Sequence, residues 1–387
     1  MTPQRRTLIA AASALSAAAL LALPALAQAQ TIKLAGLYEL SGAGATAGTN
    51  FKNGVEMAVK EINAAGGILG KKLEHGISDT QTNPGVAKGL ATKAIDDNAF
   101  AVFGPVFSGS IMVSMAETRK AEVPNFTGGE AAGITKQGNP YIFRTSFTQD
   151  TAMPKVARYI TNGLKAKSVA VMYVNNDFGK GGRDAITKAL EAQGAKVVAD
   201  ISTDSGQVDF SAPVLKAKGA NADALFVYTN EEESARALRE LRKQGYNKPI
   251  VGETTLTGQK VIELAGDAAN GAVAHVGLTI DAPNPLMLKF KAKFYQDYKY
   301  FSDHNGIKGY TGVYLLKAAI EKAGKLDRKA VAQALHGLQV KAAKEPGVIM
   351  DVCIDNNGDL DRESFMVEVK AGKQDVKEVL PPLGKKS

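Results

Sequence analysis

From Ile32 onward, short runs of β-branched and apolar residues alternate with stretches in which apolar residues recur every three or four positions. The short runs read as strands at Ile32 to Leu37, Leu73 to Ser78, Phe100 to Phe103 and Asn125 to Thr127. Between them lie helical patterns, the clearest being Phe51, Val55, Val59 and Ile62 on one face. Gly66-Gly67 stops that helix, and Asn83-Pro84 opens the next as cap and first-turn proline. The pattern then restarts, with strands at Val169 to Val174, Lys196 to Ala199, Ala224 to Tyr228 and Ile250 to Val251, and helices near 180–193, 211–218, 231–244 and 257–265. Strand-helix alternation predicts an α/β fold with parallel sheets, here as two similar units in tandem without a residue-level repeat. The last third adds helical stretches at roughly 285–300, 308–323 and 327–336, then a hairpin turning at Asn357-Gly358.

In open parallel sheets ligands bind beyond the carboxyl ends of the strands. That rule selects eight loops: Tyr38 to Thr49, Asp79 to Asn83, Gly104 to Ser110 and Thr127 to Glu130 in the first unit, and Asn175 to Gly181, Thr203 to Asp209, Tyr228 to Glu231 and Glu253 to Thr255 in the second. If the two sheets face each other, these loops line a cleft.

Ahead of Ile32, Arg5 and Arg6 precede an apolar stretch from Leu8 to Leu23, the Pro24 break, and small-residue sites ending at Ala27 and Ala29. This is the layout of an export signal, so residues 1–29 are expected to be removed near Ala27 or Ala29 and the mature chain to be soluble in the periplasm. The only cysteine, Cys353, lies far from the signal, so no lipid-acceptor cysteine follows it and no disulfide forms within the chain.

The 387 residues, 45% hydrophobic and 22% charged, suit a globular chain of two or three domains. The formal charge of +8 is spread without a basic patch, which argues against a nucleic-acid partner. Gly42-Ala-Gly44-Ala-Thr-Ala47 matches a dinucleotide fingerprint in letters, but four residues separate it from the strand and the acid expected at the second strand end, Glu61, falls within a helix. No phosphate-binding P-loop and no G-x-S-x-G occurs, and the four histidines stand singly. Asp355, Asn357, Asp359 and Asp361 imitate a calcium loop, but Leu360 stands at its glycine position and Met366 at its bidentate glutamate, which favours a hairpin.

Ser108-Gly109-Ser110 follows a strand end and opens a helix, so its backbone N–H groups and hydroxyls make an anion site. Glu253 ends a strand of the second unit, where a carboxylate can accept a ligand ammonium. Phe178, on the polar loop Asn175-Asn-Asp-Phe178-Gly179, packs in the core or on a ligand.

Ile32 to Gly42, the Asn53-Gly54 to Asn63 helix with Gly66-Gly67-Ile68-Leu69-Gly70, Val102-Phe-Gly-Pro-Val-Phe-Ser108, Asp177-Phe178-Gly179 and Gly252-Glu253 together resemble the leucine/isoleucine/valine-binding periplasmic proteins of ABC importers. The resemblance implies two Rossmann-like lobes in a Venus-flytrap architecture, residues 30–146 with 279–350 and 147–278 with 351–387. Three hinge crossovers are expected, near Phe143 to Phe147, Gly277 to Ile280 and Gly347 to Asp351. It further implies that Ser108, Gly109, Thr127 and Gly129 hold a ligand carboxylate and Glu253 its ammonium. Phe178 falls where a ligand-covering tyrosine is common, and Tyr38, Tyr228 and Asn230 complete the expected set. Two positions depart from the family pattern: Thr127-Gly-Gly-Glu130 replaces Ser-Pro-x-Ala-Thr, and Ala47 stands at the first-loop aromatic position. A carboxylate at Glu130 beside a ligand carboxylate is unfavourable unless it points away.

The resulting expectation is a monomeric periplasmic receptor, without cofactor or catalysis, that binds a branched-chain or related amino acid and delivers it to a membrane permease. Alternatives of the same architecture are a receptor for an aromatic or aliphatic carboxylate or an amide, or a sensor. A cleft enzyme is a distant third, and it needs a base with a nucleophile or cofactor within reach.

Overall fold

A computed structural model describes residues 31–384; the expected signal segment, residues 1–29, and both candidate cleavage sites lie outside the described residues. Strands β1 (Ile32–Tyr38), β2 (Leu73–Asp79), β3 (Ala101–Phe103), β4 (Asn125–Thr127) and β5 (Ile142–Arg144) form an all-parallel sheet in the order β2-β1-β3-β4-β5. The chain continues through β6 (Ser168–Val174), β7 (Lys196–Thr203), β8 (Ala224–Tyr228), β9 (Ile250–Glu253) and β10 (Val273–Val276). A small antiparallel sheet follows, made of β11 (Gln339–Val340), β12 (Val352–Ile354) and β13 (Leu360–Asp361). Last come β14 (Ser364–Lys370) and β15 (Lys373–Leu380), which extend the second sheet antiparallel to order β15-β14-β10-β9-β8-β6-β7.

The connecting helices are α1 (Ala45–Ala64), α2 (Pro84–Asp96), α3 (Ser108–Lys120), α4 (Gly133–Lys136), α5 (Gln149–Arg158), α6 (Asp177–Glu191), α7 (Ser211–Gly219), α8 (Glu231–Lys243), α9 (Gln259–Ala265), α10 (Pro285–Tyr298), α11 (His304–Ala323) and α12 (Arg328–Leu335). None of the described helices is long and apolar enough to cross a membrane. Their local causes match the pattern. Phe51, Val55, Val59 and Ile62 are the buried face of α1, and the Asn83 side chain accepts from the N–H groups of Gly85 and Val86 to cap α2.

Three differences from these expectations bear on the site. Helix α11 begins four residues before the expected start, because Asp303 caps it by accepting from Asn305 N at 2.8 Å and Gly306 N at 3.3 Å. It also packs against α1 with the backbones nearly touching: a Cβ on Gly54 would lie 1.9 Å from the Gly306 carbonyl oxygen. The expected crossover at Gly347 to Asp351 is not a passage between the sheets. Those residues form a turn leading into β12, and the β12–β13 hairpin stays beside the first sheet. Arg144 N of β5 donates to the Gly358 carbonyl at 2.8 Å, and the Arg144 guanidinium pairs with Asp359 at 2.7 Å. The chain rejoins the second sheet only at Ser364. Strand β5 takes the first two residues of the expected first crossover, Phe143 and Arg144; its three residues are all buried and so show no period of two in the sequence.

Candidate functional site

The carboxyl ends of the two parallel sheets meet around a cavity of about 490 Å³, an ordinary volume for a small-molecule site. Each of the eight strand-end loops singled out in the sequence contributes to its wall, and Pro84 at the start of α2 and the N-terminus of α11 supply the remainder.

One end is built to hold an anion. Ser108, Gly109 and Ser110 line it as the first turn of α3, where the N–H groups have no intrahelical acceptor and the helix dipole is positive. The two preceding amides, Val106 and Phe107, already donate to the buried Glu39 carboxylate at 3.1 and 3.0 Å. Gly129 and Glu130 approach from the loop after β4. Arg144, fully buried, shapes this loop by donating to the carbonyls of Gly129 and Ala131. Ala47, Val106, Phe107 and Phe178 flank this end with apolar surface. The Phe178 ring stacks on Tyr228 at 4.2 Å between centroids. Gln149 ties the pair together through the Phe178 carbonyl at 2.7 Å and the Tyr228 hydroxyl at 3.2 Å.

The other end is rich in buried carboxylates. Glu130 accepts from Lys308 Nζ at 3.1 Å and from the Tyr228 hydroxyl at 3.1 Å, so it is turned away from the anion end and held. Lys308 Nζ also donates to the Gly128 carbonyl at 3.3 Å. Glu231, the first residue of α8, lines the cavity and accepts from Asn305 Nδ2 at 3.3 Å. The nearest His304 nitrogen stands 3.9 Å away, too far for a hydrogen bond. Burial, then the Asp303 charge, pushes Glu231 up to about 7; burial, then Glu253, does the same to Glu130, against the pull of Lys308. Burial raises Asp303 to about 6. Lys308 is thus a buried cation shared among several carboxylates, and a further positive charge in the cavity relieves them.

Of the residues expected to bind, Ser108, Gly109, Gly129, Phe178 and Asn230 line the cavity, whereas Tyr38, Thr127, Tyr228 and Glu253 do not. Tyr38 is fully buried in the first unit's core. Its hydroxyl meets His75 Nε2 at 2.7 Å, and it packs near Phe51. Thr127 sits beneath the loop, its carbonyl accepting from Thr145 N at 2.9 Å. Tyr228 lies behind Phe178. Glu253 turns inward: Thr254 N donates to it at 2.5 Å and Thr254 Oγ1 at 2.7 Å, and His275 Nδ1 lies 3.1 Å away. Burial, then Lys155, drives His275 down to about 3, so the imidazole is neutral and donates from Nδ1. Glu253 also approaches the Glu130 carboxyl closely enough to share a hydrogen bond, and with Glu130 and Lys308 it lines a small void of about 10 Å³. Its carboxylate oxygens are thus engaged by Thr254 and His275.

Sequence reasoning missed Glu231, Thr255, His304, Asn305 and Lys308 as individual residues. The first two stand in loops that the strand-end rule selects. For the α11 residues the one local signal is Asp303 as a helix cap.

The sequence profile of the periplasmic binding protein family matches residues 31–374. The chain is 32% identical to the Leu/Ile/Val-binding protein BraC3 of Rhizobium johnstonii, over 86% of this chain and 90% of that one. It is 30% identical to the leucine-, isoleucine-, valine-, threonine- and alanine-binding protein of Pseudomonas aeruginosa, over 80% and 83%. Among solved structures, the branched-chain amino acid transporter substrate-binding protein LivJ of Streptococcus pneumoniae, in complex with isoleucine, superposes with a TM-score of 0.83 at 26% identity, covering 91% of this chain and all of that one. Two α/β sheets whose strand ends enclose one cavity, and a profile match running through both, place this chain in the periplasmic binding protein family.

Proposed function

We propose that this protein is the periplasmic solute receptor of an ABC importer and that its ligand is a zwitterionic amino acid of the branched-chain or a related class. The ligand carboxylate lies on the first turn of α3, at Ser108 and Gly109 with Gly129 beside it, and the ammonium lies at Glu231. One observation carries this reading: a single cavity has a helix N-terminus at one end and, at the other, a buried carboxylate with no cation in bonding contact. The named relatives support the solute class and the partnership with a permease. Glu231 takes the part expected of Glu253, because only Glu231 reaches the cavity.

The role is binding and release rather than catalysis, by a monomer whose lobes, residues 30–146 with 279–350 and 147–278 with 351–387, close on the ligand. The packing of the 352–361 hairpin against β5 favours a third boundary nearer Ser364 than 351. Export removes the signal, and intact mass of the secreted protein should begin at Gln28 or Gln30; retention of residues 8–23 would mean an anchor.

Calorimetric titration of the mature protein tests the ligand class. Amino acids should bind, and isovalerate and benzoate, which carry the carboxylate without the ammonium, should not. Tight binding of either acid with no response to any amino acid would sink the proposal.

A further inference from the structure

The wall of the cavity formed by the N-terminus of α11 and the turn after β9 holds polar atoms that the protein leaves unbonded. Thr255 Oγ1, His304 Nδ1 and Asn305 Oδ1 are buried, belong to residues lining the cavity, and have no hydrogen-bond partner. Such groups are costly to bury and as a rule find partners. Asn305 Oδ1 sits beside Glu231, which Asn305 Nδ2 bonds, so it forms part of the ammonium end. That leaves Thr255 and His304. A Cβ on Gly258 would lie 3.9 Å from His304 Nδ1, which places this nitrogen against the turn that carries Thr255. Burial, then the Lys308 charge, disfavours the imidazolium, so one ring nitrogen carries a proton and the other accepts. Thr255 and His304 thus each bring an unbonded, buried polar atom to the residues that line one cavity.

We infer that Thr255 and His304 recognise the ligand's side chain, and that the preferred ligand is an amino acid bearing a neutral hydroxyl or carboxamide rather than a purely aliphatic side chain. This rests on the reading of the cavity as an amino-acid site. A hydroxyl or carboxamide both gives and accepts hydrogen bonds, so it can pair with His304 Nδ1 and with Thr255 Oγ1. An aliphatic side chain of the same shape leaves both unpaired, and sites built to bond a polar group discriminate strongly against the analogue that lacks it.

Isosteric ligand pairs supply the test: threonine against valine, and asparagine against leucine, titrated calorimetrically into the mature protein at pH 8. In at least one pair the polar member should bind about tenfold or more tightly than its apolar isostere. Thr255→Val should shrink that ratio to below about threefold while leaving the apolar ligand's affinity little changed. Valine and leucine binding as tightly as threonine and asparagine would overturn the inference and leave the amino-acid reading standing. Failure of all four to bind would overturn both. A ratio unchanged in Thr255→Val would remove Thr255 from side-chain recognition.

Discussion

Glu231→Gln should weaken the ligand and strengthen the empty protein, and the two effects come from the same burial. Glu231 is 6% exposed, and its carboxyl is pushed from 4.5 to about 7, chiefly by burial. A group whose folded value lies above its unfolded one costs stability as pH rises from 4.5 through 7. At about 1.4 kcal/mol per pH unit, the charge costs the ligand-free protein up to ~3 kcal/mol at pH 8. Glutamine keeps the acceptor for Asn305 Nδ2, and Asn305 Oδ1, which has no partner, can take one of its N–H groups. The melting temperature of the ligand-free variant at pH 8 should therefore rise by a few degrees, with the gain fading by pH 5, where the wild-type carboxyl is protonated. Loss of a charge-assisted bond to the ammonium costs about 1.5–3 kcal/mol, or roughly 10- to 150-fold in Kd. Thermal melts at both pH values and titrations at pH 8 read the two effects separately. Unchanged affinity at pH 8 removes Glu231 from the site, and a variant that melts lower than wild type refutes the account of its burial.

The wild-type affinity should be level above about pH 7 and fall by about tenfold per pH unit below it, because the ammonium holds Glu231 charged and that contribution is lost as the free-state carboxyl protonates; titrations from pH 5.5 to 8.5 would expose a flat profile. Lys308→Met leaves Glu130 without its cation and should cost about 3–5 kcal/mol, with part of the melting temperature recovered when Glu130→Gln is added; a single variant as stable as wild type would show that the carboxylates do not depend on Lys308. Gly54→Ala drives a methyl to 1.9 Å from the Gly306 carbonyl and should destabilise by about 1–3 kcal/mol or more in urea unfolding, whereas a shift within about 0.5 kcal/mol would mean that α1 and α11 can separate freely.

Local pattern alone determined the alternation of strands and helices, the tandem of two α/β units and the eight loops that reach the cavity. Each is written in nearest neighbours: a period near 3.6 for α1, an Asn-Pro cap for α2, and the constraint that parallel strands send their loops to one edge. Ser108, Gly109 and Phe178 could be chosen in advance because a strand end followed by a helix start places them there whatever surrounds it. What the tertiary structure decided is which side chains within those loops face inward, and what arrives from elsewhere in the chain. Glu253 and Tyr38 stand at the expected strand ends, yet the adjacent Thr254 together with His275 claims the one and His75 the other, and the two histidines are brought there by the pairing of neighbouring strands. Lys308 meets Glu130 across 178 residues only because α11 crosses α1 at glycines close enough for their backbones to touch. No periodicity encodes that crossing, since the strand or helix character of a segment is a property of its own few residues, whereas a buried charge finds its partner through the close packing of segments far apart in the chain.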